Sequence, residues 1–152
     1  MANKRLVIAL GGNALGNTPE EQLSLVKNTA STIVDLVEEG YDVVVGHGNG
    51  PQVGMINLAM EFSANNSGKT PLMPFPECGA MTQGYIGYHL QQAIGAELER
   101  RGIKKPCASV VTQVVVDEKD EAFKNLTKPV GMFYSKEEAE KISSEKGYTF
   151  IE

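Results

Sequence analysis

Residues 5–12, RLVIALGG, and residues 41–51, YDVVVGHGNGP, each carry an apolar run into a glycine-dense loop. Runs rich in Val, Ile and Leu without polar alternation are expected of strands buried on both faces of a parallel sheet. Between them lies one amphipathic helix. Thr18 is placed to cap it, Pro19 fits its first position and Glu21 completes a capping box. Leu23, Val26, Ala30, Ile33, Val34 and Val37 then recur at helical spacing, and Gly40 closes the element. Strand, helix and strand in this order make a βαβ unit, which implies parallel strands joined by a right-handed crossover.

Outward from that unit the pattern stays α/β. Residues 52–62 read as helix, and 63–79, with Asn, Ser, Gly and three prolines, read as loop. Residues 80–101 form a long helical stretch ended by Gly102, with Gly84, Gly87 and Gly95 inside it. Glycines there weaken a helix by up to about 1 kcal/mol each and often permit a close neighbour. Residues 108–116, ASVVTQVVV, give the strongest strand signal in the chain. A polar stretch, 117–129, leads to a second capping box, Ser135 to Glu138, opening a short helix that ends at Gly147. Residues 148–151 look like a further strand beginning, so the pattern is expected to continue past Glu152.

In open parallel sheets, ligands bind beyond the carboxyl ends of the strands. Both glycine loops belong there: Gly11-Gly12-Asn13-Ala14 after the first strand and Gly46-His47-Gly48-Asn49-Gly50-Pro51 after the second. Glycines let backbone N–H groups approach an anion closely and form a concave phosphate site. One such loop alone is better explained by a tight turn; two on successive parallel strands favour anion binding. The familiar motifs do not fit. Pro51 stands where a dinucleotide fingerprint needs its third glycine, and Gly68-Lys69-Thr70 has Ser63 where a P-loop needs its first.

Composition narrows the classes further. The 152 residues, 41% hydrophobic and 22% charged with net charge −5, are ordinary for a soluble globular protein and argue mildly against a nucleic-acid surface. Five apolar residues before Gly11 are too few for a signal core or a membrane span. Cys78 and Cys107 lie in no CxxC pair and are expected as reduced thiols of a cytoplasmic protein. His47 is expected to brace its loop, and His89 to be packing or exposed. Cys78 as a nucleophile partnered by His47 is a weak alternative, and Asp117 to Glu121 are expected on a solvated face.

Several segments together resemble the carbamate kinases of the amino-acid kinase family. They are Val7 to Ala14, Gly46 to Gly54 (GHGNGPQVG), Ala80 to Gly84 (AMTQG), Thr112 to Asp117 (TQVVVD), Asp120 to Asn125 and Thr127-Lys128-Pro129. Ala9 stands where many of the wider family carry a lysine, and in this the chain looks like the carbamate kinases, which take the missing charge from a lysine elsewhere. The resemblance implies a three-layer α/β/α sandwich with a mostly parallel sheet, incomplete at the C-terminus, in which 1–116 are the N-terminal carbamate- and phosphoryl-binding part and 117–152 the truncated start of a protruding subdomain. It implies reversible phosphoryl transfer between carbamoyl phosphate and ADP, with Mg²⁺, giving ATP and carbamate. Gly11, Gly12 and Asn13 would hold the phosphoryl group, Gly48, Asn49 and Gly50 the carbamate, and Lys128 would be the catalytic cation. The nucleotide site and a further lysine would come from a C-terminal half beyond Glu152, so turnover by this chain alone is in question. A homodimer is also implied, with helix 80–101 as its expected seam. Two rivals stand beside this reading: another amino-acid kinase acting on a different carboxylate, and a non-catalytic ligand-binding fold.

Overall fold

The computed structural model describes residues 4–11, 14–67, 69–125 and 134–150. Strands β1 (Arg5–Leu10) and β2 (Asp42–His47) pair in parallel, with Arg5 opposite Asp42 and Leu10 opposite His47. Helix α1 (Pro19–Glu38) forms the crossover between them, as the βαβ pattern requires. Helices α2 (Gly50–Ser67), α3 (Phe75–Arg100) and α4 (Lys136–Lys146) follow, with a short 3-10 turn at Glu121–Phe123.

The core lies between the sheet and the α1–α3 pair. Val26, Ala30, Ile33 and Val34 of α1 meet Ile86, Leu90, Ile94 and Leu98 of α3, and Leu15 joins them. Ile8, Leu10, Val43 and Val45 pack onto this cluster from the sheet. Burial of such side chains contributes about 1.5–3 kcal/mol each, which makes the α1–α3 seam the main source of stability. The opposite sheet face is open: Val7 is 72% exposed and Val44 50%. The expectation of strands buried on both faces therefore fails among the described residues. An unalternating apolar run shows that both faces tolerate burial; which one is covered depends on where the helices pack.

An ionic clamp ties the far ends of the two helices. Arg101 donates to Glu97, Asp35 and Glu38 and to the carbonyl and hydroxyl of Ser31. The helix starts follow their sequence signals in part. Thr18 Oγ1 accepts from the Glu21 N–H, but Glu21 Oε2 takes its bond from the Asn17 N–H, one residue outside the expected box. Ser135 and Glu138 form the full reciprocal box, and Gly147 ends α4 with φ of 71°.

Three boundaries differ from expectation. α2 continues through Ser67 and α3 begins at Phe75, shortening the loop expected over 63–79. Prolines cause the second difference: Pro74 is the N-cap and Pro76 lies in the first turn, where no backbone N–H is needed. The third is the valine-rich 108–116 segment, which belongs to no strand. It docks on α3 instead. Ser109 Oγ donates to the Gly87 carbonyl at 2.8 Å, and the Thr112 N–H donates to Gln83 Oε1 at 2.7 Å. A Cβ at Gly87 would stand 2.9 Å from Ser109 Oγ, so this glycine admits a neighbour from its own chain. Strand identity needs a paired backbone, and none of the described residues supplies one here. Residues 148–150 likewise form no strand. Among the described residues no helix is long and apolar enough to cross a membrane.

Candidate anion-binding site

The two glycine loops leave β1 and β2 at the same edge, because the register sets Leu10 beside His47. They are joined directly: the Gly48 N–H donates to the Leu10 carbonyl at 3.2 Å. α2 begins at once, its first helical bond running from the Val53 N–H to the Asn49 carbonyl at 2.8 Å. The first-turn N–H groups of Gly50 and Gln52 therefore have no acceptor within the helix, and Pro51 has no N–H. With the positive end of the helix dipole, this start is suited to an anion. A Cβ at Gly11, Gly48 or Gly50 would meet no atom within 4 Å, so a ligand can approach all three backbones.

The first loop turns back quickly. Ala14 N–H donates to the Gly11 carbonyl at 3.0 Å, Leu15 plugs the core, and Gly16 takes a φ of +64°. A buried polar chain then ties this loop to α2, α1 and α3. Gln52 Nε2 donates to the Gly16 carbonyl at 3.0 Å and to Gln22 Oε1 at 3.2 Å, and Gln22 Nε2 lies 2.9 Å from His89 Nδ1. The Gly16 carbonyl can only accept, which fixes every orientation along the chain. Gln52 presents its NH₂, Gln22 accepts on its oxygen and donates from its nitrogen, and His89 Nδ1 accepts. His89 is then a neutral imidazole with its proton on Nε2. Its environment agrees, since burial lowers its pKa from the ordinary 6.5. Among the described residues Gln52 Oε1 is buried without a hydrogen-bond partner.

The second loop is held by α3. Asn49 Nδ2 donates to Thr82 Oγ1 at 2.7 Å, and that hydroxyl donates to the Gly79 carbonyl at 2.6 Å. His47 uses Nδ1 to donate to the Gly48 carbonyl at 3.0 Å, which is the loop-bracing role expected of it.

Of the residues singled out from sequence, Gly11, Gly48, Asn49 and Gly50 gather at one sheet edge. Gly12, Asn13 and Lys128 lie outside the described residues. Because the Gly48 N–H is engaged by Leu10, Gly48 joins the two loops, and the donors without a helical acceptor at this edge are those of the α2 start. Sequence reasoning missed Thr82, Gln22 and Gln52. A signal existed for two of them: Gln22 interrupts the apolar stripe of Val26, Ala30 and Ile33, and Thr82 that of Cys78, Ile86 and Leu90. His89, expected as packing or exposed, is a buried hydrogen-bonding group. Cys78 is fully buried, with Asn57 Oδ1 4.0 Å from its thiol, which rules out an accessible nucleophile. Asp117 and Asp120 are exposed, and each accepts a local backbone N–H, from Lys119 and Ala122. A shallow depression among Gly95, Leu98, Gly102, Ile103 and Lys105 lies at the opposite end of the sheet. Among the described residues no group of three or more His, Cys, Asp and Glu could hold a metal ion.

Residues 4–142 match the amino acid kinase family, and the chain belongs to that family. Within it, the similarity is to carbamate kinases. The chain is 57% identical over 148 residues to a carbamate kinase of Staphylococcus haemolyticus, covering 97% of this chain and 48% of that protein. A carbamate kinase from Giardia lamblia bound to citric acid superposes with a TM-score of 0.86 at 43% identity, over 95% of this chain and 47% of the other. The Giardia enzyme bound to AMP-PNP superposes with a TM-score of 0.80 at 42% identity, over 97% of this chain and 47% of the other. The chain thus has the α/β fold of a carbamate kinase and spans about half the length of the relatives it matches.

Proposed function

We propose that this chain carries the carbamate- and phosphoryl-binding part of a carbamate kinase. The carrying observation is the union of two glycine loops at adjacent parallel strand ends, tied by the Gly48–Leu10 hydrogen bond and facing the start of α2. In the reaction, the bond between phosphorus and the carbamate oxygen breaks while a bond to a terminal ADP oxygen forms. Such a transfer needs positioning and charge stabilisation, with little covalent work for the protein. The backbone donors at Gly11 to Asn13 suit the phosphoryl oxygens, and the α2 start with Asn49 suits the planar carbamate. No general base is needed, since carbamate already carries a nucleophilic oxygen. Lys128 supplies positive charge from a subdomain beginning near residue 117, and a homodimer is the assembly this reading implies.

The nucleotide, with its Mg²⁺, belongs in this reading to a part that the relatives have and this chain does not match. A second reading follows from the coverage of 48%: the chain binds carbamoyl phosphate without turning it over. Isothermal titration of the chain with carbamoyl phosphate, acetyl phosphate and ADP tests the site. Binding of carbamoyl phosphate with a dissociation constant below about 1 mM is expected, and equal affinity for acetyl phosphate would count against carbamate. A coupled assay of ATP formation separates the binding and catalytic readings. In a protein with the full length of the relatives, Lys128→Ala should lower kcat by about 10²-fold, as charge-stabilising groups do.

A further inference from the structure

We propose that Thr82 is a positioning residue that fixes which end of the Asn49 amide faces the ligand, an inference that rests on the carbamate reading of this loop. Thr82 is on α3, fully buried, and distant in sequence from both glycine loops. Its hydroxyl has one hydrogen, which goes to the Gly79 carbonyl at 2.6 Å. What it offers Asn49 is therefore a lone pair alone. Asn49 must answer with its NH₂, and does so at 2.7 Å. A free asparagine can turn its amide over and present either oxygen or nitrogen to a given point; this one cannot. One N–H and the Oδ1 of Asn49 keep fixed directions at the N-cap of α2, beside the first-turn donors.

The chemistry favours a ligand that has both signs of hydrogen-bonding group close together. A carbamoyl group has an NH₂ donor and a carboxyl-like acceptor on one carbon, and a side chain of fixed polarity can match it. An acetyl group has no donor, so it would lose the contact to Oδ1. α3 also carries His89, seven residues on, which holds the other loop through Gln22 and Gln52. The same helix thus indexes both loops, but only Thr82 controls a group at the ligand.

The test is a double-mutant cycle read by titration of this chain with carbamoyl phosphate. Thr82→Val keeps the shape and removes the lone pair; Thr82→Ser keeps the lone pair. Thr82→Val is expected to weaken binding about tenfold, the scale of one lost hydrogen bond, while Thr82→Ser stays within about twofold. In an Asn49→Ala background, Thr82→Val should have no further effect. Equal losses in both backgrounds would overturn the proposal, because Thr82 would then act on the fold and not through Asn49. Thermal melts accompany each variant, and Thr82→Ala replaces Thr82→Val if the latter does not fold. If the wild-type chain binds no carbamoyl phosphate, the substrate reading fails. The contact is still decided by NMR of the Asn49 side-chain amide: one of its two proton resonances must move in Thr82→Val, and an unchanged pair overturns the proposal.

Discussion

Gly16 shows how one residue sets the first loop. Its φ of +64° is a region that side chains other than glycine rarely adopt, and an added Cβ would stand 2.8 Å from the Glu21 Cβ. Gly16→Ala should therefore destabilise the fold by about 2 kcal/mol, measured by urea unfolding, from strain and overlap together. Gly12→Val tests the proposed phosphoryl cradle: on that reading titration should show weakened carbamoyl phosphate binding, and unchanged binding would count against the cradle. His89 provides a pH signature. Its folded pKa is lowered by burial, so the unfolded chain takes up a proton first as pH falls below 6.5. Its contribution is complete above that value and is lost on acidification toward the lowered pKa. Protonation would set an N–H against the Gln22 NH₂ and break the chain to Gly16. His89→Gln, whose amide can accept the same bond, should remove this step from a stability profile between pH 7 and 5. The placement of the two glycine loops at the strand ends was legible from sequence, because each directly follows an apolar run. Gln22, Thr82 and His89 were not, since their partners lie on other elements.

At the scale of elements, α1 and α3 act as one unit. Their apolar stripes meet, and Arg101 closes the far end against three carboxylates. Bonds from Arg100 and then Arg101 hold the Glu97 carboxyl down to about 2. The folded form thus keeps Glu97 ionised where an unfolded one would protonate near 4.5, so its contribution persists above 4.5 and fades as pH falls toward 2. Arg100→Gln with Arg101→Gln should raise the Glu97 pKa toward 4.5, followed by NMR of its side-chain carboxyl, and should lower the melting temperature through the lost clamp. The helices themselves were readable from caps and periodicity. α3 was misjudged at its start because prolines were read as breakers, whereas a first turn accepts them.

For the whole molecule, the uneven cover of the sheet matters most. Val7 and Val44 on the open face, and Val115 at 99% exposure, are apolar groups with little packing of their own. Val115→Lys should leave unfolding free energy within about 0.5 kcal/mol and reduce binding of a hydrophobic dye. A large loss of stability would show that Val115 is packed. The sequence alone determined the βαβ order, the parallel pairing and the two loops at the strand ends, because each rests on local patterns: apolar runs, caps and glycines. It also carried the family resemblance, which is a sum of local strings. Only the tertiary structure decided which sheet face is covered, that 108–116 lies on α3 without joining a strand, and that Thr82 and Gln52 hold the loops. Those outcomes depend on contacts between residues far apart in the chain, and no spacing along it encodes which distant partner a buried polar group will find.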